Sequence, residues 1–425
     1  MALRMHFPVV RHHLLRSGVL PTHDLQDLAD RLAARLQRSV TVTDPEIRIL
    51  ATSAHYGDED EARVRAVLAR VALPEVYRHI HSFGVRDWRE PGTVAAAPEL
   101  GFEQRFVIPI RQGRTLLALL MIIDRAESGL TDVELDAAMQ TARAMVGILD
   151  RNQADQRRCR EQRSKLLSDL LSDHDAAREH ARSQAAHIMG GPVEQAVVMT
   201  MKIRSPGLCG AEVGLEVDAG LANAGLREGA RLAHLYQDGI ATICSVTEHP
   251  SSMEGIREQG RRILESVSSL VSERSCCTLG LCDTPAPLSM MRTARKKSRL
   301  AAEAATLLPQ FRPFATYSDL GVFSVLLRLQ REDLEEVVPS NLRRLLEDDS
   351  HGVLGETLTL YLASGGSIPV TAQRLRLHRT SLYYRLNQIE MQLEMSLHDG
   401  EVRQVLHLGL KAMELLDAYT RLQDR

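Results

Sequence analysis

One stretch near the C-terminal end, TAQRLRLHRTSLYYRLNQIE at residues 371–390, concentrates side chains that can bind a polyanion. Its arginines are Arg374, Arg376, Arg379 and Arg385. Imidazole, hydroxyl, phenol and amide groups accompany them at His378, Thr380, Ser381, Tyr383, Tyr384, Asn387 and Gln388. Guanidinium groups pair with phosphate oxygens, and polar side chains of these kinds can hydrogen-bond base edges. The chemistry that this composition permits is recognition of a nucleic acid.

The same residues separate into two faces when they are placed on an α-helix at about 100° per residue. Leu382, Leu386, Ile389 and Leu393 share one narrow sector, which predicts a buried stripe. The opposite sector holds Thr380, Tyr384 and Asn387, with Ser381 and Gln388 on one flank and Tyr383 on the other. We expect this outer face to read base edges while the arginines bind phosphates. The alternative is a solvated surface helix with incidental arginines.

Two shorter helices are expected before this one. Residues 350–366, SHGVLGETLTLYLASGG, predict an apolar helix that ends at two glycines. A second helix is expected over residues 369–375, with Pro369 in its first turn, and residues 376–378 form the turn that follows. This is the pattern of a helix-turn-helix, whose second helix enters the major groove of DNA.

The segment LLEDDSHGVLGETLTLYLASGGSIPVTAQRLRLHRTSLYYRLNQIE closely resembles the C-terminal domain of the PucR/CdaR family of bacterial transcription regulators. The residues that match the family's motif are Thr357, Leu358, Tyr361, Leu362, Gly365, Gly366, His378, Arg379, Leu382, Tyr384, Arg385 and Leu386, and Tyr317, Leu320 and Gly321 fit its lead-in. The family's Asn-Thr pair stands here as Thr380–Ser381. The resemblance therefore implies a DNA-binding regulator, and this difference means that its operator sequence is not transferable from its relatives.

The chain as a whole has an ordinary globular composition, with 44% hydrophobic and 25% charged residues and a formal net charge of −3. Its 425 residues suggest two to four domains of roughly 100 to 200 residues each. The longest apolar run, Leu116–Ile123, is far shorter than the roughly 20 residues that span a bilayer, and the first residues lack the pattern of a signal peptide. Six scattered cysteines indicate reduced thiols. We expect a cytoplasmic protein that does not bind a membrane.

Residues 20–150 predict an α+β domain. Its expected elements are a helix from Leu25 to Leu36, a hairpin over Ser39–Thr52, helical material from about Glu59 to His81, a hairpin around Gln112–Gly113 and a closing helix with a capping box at Thr131 and Glu134. This order resembles the GAF family of small-molecule sensor domains, which implies a ligand pocket between the sheet and its covering helices. The candidate pocket residues are His55, Tyr56, His79, His81 and Trp88. A dimerisation or packing domain is the alternative.

The following residues, 151–165, are charged and lack proline and glycine, which predicts a helical linker that either carries dimer contacts or is simply exposed. Residues 166–330 then alternate strands and helices, with a hairpin about Asp238–Gly239. They resemble the degenerate cyclase-like middle domain of the same regulators. In active diguanylate cyclases the hairpin carries the acids that hold two metal ions, whereas HLYQDG at residues 234–239 carries one acid. We therefore expect no cyclase activity.

The chain contains none of the sequence patterns GxxxxGK[ST], HExxH or GxSxG. SCCTLGLC, at residues 275–282, and His12–His13 are weak metal candidates, and Pro206–Gly210 reads as a loop rather than a phosphate cradle. We expect no catalytic residue, no metal and no cofactor.

The sequence thus predicts a multidomain α+β protein: a GAF-like sensor domain (20–150), a helical linker (151–165), an α/β cyclase-like domain (166–330) and an all-α helix-turn-helix domain (331–425). We expect its last helix to pack back on the module; the alternative is that this helix joins a partner subunit. We expect a transcriptional regulator that binds double-stranded operator DNA as a homodimer or higher homo-oligomer. A small-molecule effector in the sensor domain, or a rearrangement of the dimer, would control it. Two rival hypotheses are a cyclic-dinucleotide signalling enzyme and an adaptor that uses its C-terminal helices for protein contacts without DNA.

Overall fold

The computed structural model of the protein describes residues 23–58, 60–69, 73–124, 129–204, 213–214, 217–221, 231–246, 252–271 and 275–423. The chain divides into two compact units, one of Met1–Cys277 with Thr284–Arg295 and one of Thr278–Asp283 with Lys296–Arg425. The described part of the chain contains no helix that is long and apolar enough to cross a membrane.

The first unit begins with a five-stranded sheet in the order β2-β1-β5-β4-β3, in which all neighbours are antiparallel. Its strands are β1 (Val40–Thr43), β2 (Ile49–Thr52), β3 (Gly92–Val94), β4 (Arg105–Gln112) and β5 (Thr115–Ile123). Helices α1 (His23–Leu36), α2 (Glu61–Ala69), α3 (Pro74–Ser82) and α4 (Asp132–Leu171) accompany it. Both predicted hairpins are confirmed as β1–β2 and β4–β5, while the helical material expected between them is two helices, α2 and α3.

Two apolar clusters include residues of this sheet, one with residues of α1 and α4 and one with residues of α2 and α3. Successive side chains of a strand point to opposite faces. On β5, Leu120 accordingly belongs to the first cluster and Met121 to the second. The unbroken apolar run in the sequence is therefore a strand that is buried on both faces.

Helix α4 is 40 residues long and joins the predicted closing helix and the predicted linker into one element. Its start confirms the capping box: the side chain of Thr131 accepts from the backbone N–H of Glu134, and the Glu134 carboxylate accepts from the backbone N–H of Thr131 at 2.8 Å. Helix α5 (Asp175–Ile188) follows.

The next strands are β6 (Gln195–Arg204), β7 (Arg231–Gln237) and β8 (Ile240–Val246), and β8 pairs antiparallel with both of the others. The predicted turn between β7 and β8 is present: Asp238 and Gly239 have φ of 50° and 76°, the left-handed values that a tight hairpin needs. Helix α6 (Met253–Ser268) follows this hairpin.

The second unit contains part of β9 (Cys276–Pro287), which pairs parallel with β10 (Phe314–Thr316), and part of α7 (Met291–Leu307). Its remaining helices are α8 (Phe323–Leu326), α9 (Arg331–Val337), α10 (Ser340–Asp348), α11 (Val353–Ala363), α12 (Ile368–Leu375), α13 (Arg379–Leu393) and α14 (Gly400–Gln423). One apolar core joins residues from α7 through to α14. The leucines of α13 are therefore fixed to the same core as the alanines of α7.

Candidate nucleic-acid interface

The turn between α12 and α13 is built from backbone and side-chain hydrogen bonds. Arg376 ends α12 in a left-handed conformation, with φ of 55°, and Leu377 N–H donates to the carbonyl of Ala372 at 2.9 Å. The next residue, His378, caps α13, because its Nδ1 accepts from Thr380 N–H at 3.4 Å. The predicted helix, turn and second helix are thus confirmed, and α12 starts one residue earlier than expected, at Ile368.

The inner face of α13 matches the predicted stripe. Leu382, Ile389 and Leu393 are fully buried, and Leu386 is 6% exposed. They pack in the core that also holds Leu358 and Leu362 of α11. Because burying a leucine side chain contributes about 1.5 to 3 kcal/mol, this stripe fixes which face of α13 is turned outward.

The outer face of α13 carries the predicted reading residues. Tyr383 is 52% exposed and Tyr384 is 73% exposed. Further exposed candidates are Arg374, Arg376, His378, Arg379, Thr380, Ser381 and Asn387, whereas Arg385 and Gln388 are half-buried. Within the described residues none of the four arginines forms an ion pair with a carboxylate. Their charges are available to an external anion.

Arg385 has a structural partner that its predicted role as a phosphate ligand did not include. Its Nη1 donates to the hydroxyl of Thr357 on α11 at 3.3 Å. That hydroxyl in turn donates to the carbonyl of Val353 at 2.7 Å. The guanidinium group therefore connects α13 to α11 as well as carrying charge.

Sequence reasoning missed two further residues of this module. Asn341 on α10 donates from Nδ2 to the carbonyl of Leu393 at 2.5 Å and so caps the end of α13. Met391, which is 73% exposed, continues the outer face four residues after Asn387. The helical spacing could have identified Met391, whereas no local pattern in the sequence announces Asn341.

Helix α14 packs back on the module, as expected. Leu406, Ala412, Leu415 and Ala418 are buried in its core. At its start, Arg403 Nη1 donates to the carbonyls of Leu397 and His398 at 2.8 and 2.9 Å, which fixes the loop after α13.

Two of the candidate pocket residues of the first unit are divided between the two apolar clusters of its sheet. Tyr56 packs on the cluster that includes α1 and α4, and Trp88 on the cluster that includes α2 and α3. His79 Nε2 lies 2.9 Å from the carbonyl of Ala95, and Trp88 Nε1 donates to the carbonyl of Phe83 at 3.0 Å. His55 is exposed.

His81 has an environment that favours its uncharged form. Burial, together with the nearby positive charge of Arg86, lowers the pKa of His81 from 6.5 to about 4. Its Nε2 is buried without a hydrogen-bond partner in the described part of the chain. The ring is therefore neutral at physiological pH.

The β7–β8 hairpin of the first unit holds a single acid at its turn, Asp238. His234 on β7 instead pairs through Nε2 with Asp218 at 2.5 Å. No cluster of three potential metal ligands occurs among the described residues. His12, His13 and the segment 206–210 lie outside them.

A buried leucine stripe, a tight turn and an outward polar face, beside arginines that form no ion pair within the described residues, define α12 and α13 as a helix-turn-helix DNA-binding module. The family model of the PucR C-terminal helix-turn-helix domain matches residues 354–412, which contain α12 and α13 and most of α11. This match identifies residues 354–412 as a PucR-type helix-turn-helix domain.

The chain is also similar to two curated proteins of Bacillus subtilis (strain 168). It is 21% identical to the DNA-binding transcriptional activator AdeR over 410 residues, which are 91% of this chain and 92% of AdeR. It is 36% identical to the purine catabolism regulatory protein over 101 residues, 24% of this chain and 19% of that protein. A regulator of polyketide synthase expression from Bifidobacterium adolescentis matches 63% of this chain and 100% of its own at 17% identity, with a TM-score of 0.30, too low to bear on the fold.

Proposed function

We propose that this chain is a sequence-specific transcriptional regulator that binds operator DNA through α13. The observation that carries this conclusion is the division of α13 into a buried leucine face and an exposed polar face, beside arginines that form no ion pair with any described carboxylate. Arg374, Arg376 and Arg379 bind phosphates, and the outer face of α13 reads base edges in the major groove. We place the protein in the cytoplasm, because the operator DNA that it binds lies there.

The test compares two triple variants that change the net charge equally. One variant replaces Arg374, Arg376 and Arg379 by Ala, and its matched control replaces three exposed arginines elsewhere in the second unit, Arg299, Arg344 and Arg421. Each phosphate contact contributes about 0.9 to the slope of log affinity against log salt. The first variant should bind all DNA more weakly, and its slope of log affinity against log salt should be smaller than that of the wild type by about 2 to 3. The control should bind like the wild type. Equal effects of the two variants would contradict the assignment.

We further propose that the N-terminal region, residues 20–150, is a GAF-like sensor of a small molecule. This proposal is supported by the sheet, whose two faces contribute to separate apolar clusters. One of these clusters includes residues of the short helices α2 and α3. On α3, the buried and neutral His81 offers its Nε2 atom, which has no hydrogen-bond partner among the described residues. Helix α4 runs on from this region as an uninterrupted helix and is suited to transmit a change in it.

We propose that residues 166–330 form a degenerate cyclase-like domain without enzymatic activity. Its hairpin presents Asp238 alone, and one carboxylate cannot hold the two metal ions of the reaction. Incubation of the purified chain with GTP and magnesium should yield no cyclic dinucleotide, and formation of one would overturn this proposal.

The DNA-bound form should be a homodimer or a higher homo-oligomer. A single recognition helix covers only a few base pairs, and helix-turn-helix proteins reach specificity by binding two half-sites about one helical turn apart. Analytical ultracentrifugation at micromolar concentration with operator DNA should show at least two chains per duplex. Detection of only one chain per duplex would contradict the proposed oligomer.

A further inference from the structure

The outer face of α13 has a distinct chemistry along its length. Thr380, Tyr384, Asn387 and Met391 follow one another at steps of four, three and four residues and form one line opposite the buried leucines, the reading stripe. Tyr384 and Met391 are each 73% exposed. The phenol ring and the thioether thus place apolar surface on the same line as the polar groups of Thr380 and Asn387, on the face of α13 that is turned away from the core.

Asn387 is the amide of the reading stripe. Its side chain is exposed and has no hydrogen-bond partner among the described residues. The hydroxyl of Thr380, by contrast, lies 3.0 Å from Nδ1 of His378 and supports the cap of the helix. An asparagine amide matches the N7 acceptor and N6 donor of adenine in the major groove. Asn387 is therefore the group of the stripe best suited to an adenine.

Tyr384 and Met391 flank this amide at distances that suit neighbouring base pairs. At 1.5 Å per residue they lie about 4.5 Å and about 6 Å from Asn387 along the helix axis. These distances correspond to between one and two base steps of about 3.4 Å. The only apolar group on a major-groove base edge is the C5-methyl of thymine. The aromatic ring of Tyr384 and the thioether of Met391, which lie on either side of Asn387, thus each suit contact with a thymine methyl group.

The arginines lie off the reading stripe. Reading guanine commonly requires a guanidinium group aimed at O6 and N7. Arg385 is half-buried and bonded to Thr357, and Arg379 lies on the flank of Tyr383, about 100° from the stripe. A guanine at the centre of the site would meet an amide or an apolar group instead.

We infer that the reading stripe recognises A·T base pairs: Asn387 reads an adenine, and Tyr384 and Met391 contact thymine methyl groups one to two steps to either side of it. This inference rests on the proposed function and names the class of half-site that the module reads. It is independent of the operator sequences of related proteins, because it follows from the exposed side chains of this chain.

The test uses the full chain and a duplex selected by it from a randomised DNA pool. Each thymine is replaced in turn by deoxyuridine, which removes only the methyl group, and each adenine by 7-deazaadenine, which removes only N7. Loss of one buried methyl should weaken binding about four-fold. Loss of one hydrogen bond to Asn387 should weaken it about five-fold or more.

Variants assign each effect to a side chain. The Asn387→Ala variant should bind the duplex with 7-deazaadenine as tightly as the unmodified duplex. The Met391→Ala variant should likewise show no loss of affinity at one of the deoxyuridine positions. Gln392→Ala, an exposed position off the stripe, should keep both penalties. Tight binding to a selected duplex that tolerates every analogue, or selection of G·C pairs at the centre of the half-site, would overturn the inference while the proposed function stands. Failure to bind any DNA would overturn both.

Discussion

Arg385 of α13 and Thr357 of α11 are joined by a hydrogen bond of 3.3 Å from the guanidinium Nη1 to the hydroxyl oxygen. The bond ties the middle of the recognition helix, α13, to the helix that precedes the helix-turn-helix. It gives Arg385 a positioning role that Arg379, which is exposed at the start of the same helix, does not share. Two arginines of one motif thus have different tasks.

The first prediction concerns this pair. Arg385→Ala and Thr357→Val should each weaken binding to the selected duplex, and the double variant should lose less than the sum of the two. Since hydrogen bonds to charged groups contribute about 1.5 to 3 kcal/mol and this one is long, a coupling free energy of about 1 kcal/mol is expected. Fluorescence anisotropy titrations of the four proteins measure it, and strictly additive losses would mean that Arg385 acts on DNA alone.

The second prediction separates anchoring from reading. Arg379→Ala should weaken binding to selected and shuffled duplexes equally and lower the salt slope by about 1. Tyr384→Ala should change which sequence is preferred, with little effect on the salt slope. Titrations of both duplexes at several salt concentrations distinguish the two behaviours. If both variants had the same effect, the assigned faces of α13 would be wrong.

The third prediction concerns pH. The pKa of His81 is lowered from 6.5 to about 4, so between these values the unfolded chain binds a proton that the folded chain does not. The contribution of His81 to stability is therefore complete above pH 6.5 and is lost as the pH falls toward 4; the shift corresponds to roughly 3 kcal/mol. An NMR titration, with the resonance assigned by its absence in His81→Gln, should show a midpoint near 4. A midpoint at 6 or above would refute the burial argument.

The fourth prediction tests the packing of the second unit. A Cβ at Gly280 on β9 would overlap the backbone of Ser298 and Ala302 on α7, and backbone cannot move aside as a flexible side chain can. Gly280→Ala should destabilise the unit by about 3 kcal/mol. Gly147→Ala is the control, because a Cβ there meets nothing within 4 Å on helix α4 and should be neutral or stabilising by about 0.5 to 1 kcal/mol. Urea unfolding followed by circular dichroism compares the two, and equal midpoints would contradict the close approach.

Local pattern predicted the elements that depend on local physics. The hairpins at β1–β2, β4–β5 and β7–β8, the capping box at Thr131 and the two faces of α13 all follow from side-chain periodicity and turn chemistry. The bonds from Arg385 to Thr357 and from Asn341 to Leu393 join residues 28 and 52 positions apart. No periodicity records such pairs, because they arise only when helices pack. The separation of two pocket candidates, Tyr56 and Trp88, into different apolar clusters is a tertiary result of the same kind.

The central claim, that α13 reads DNA, is tested most directly by the affinity of the full chain for a selected duplex and for the same duplex with its sequence shuffled, each at several salt concentrations. We predict that both affinities fall steeply with salt and that the selected duplex binds at least about 10³-fold more tightly at physiological salt. Equal affinities for the two duplexes, or affinities that do not depend on salt, would contradict it.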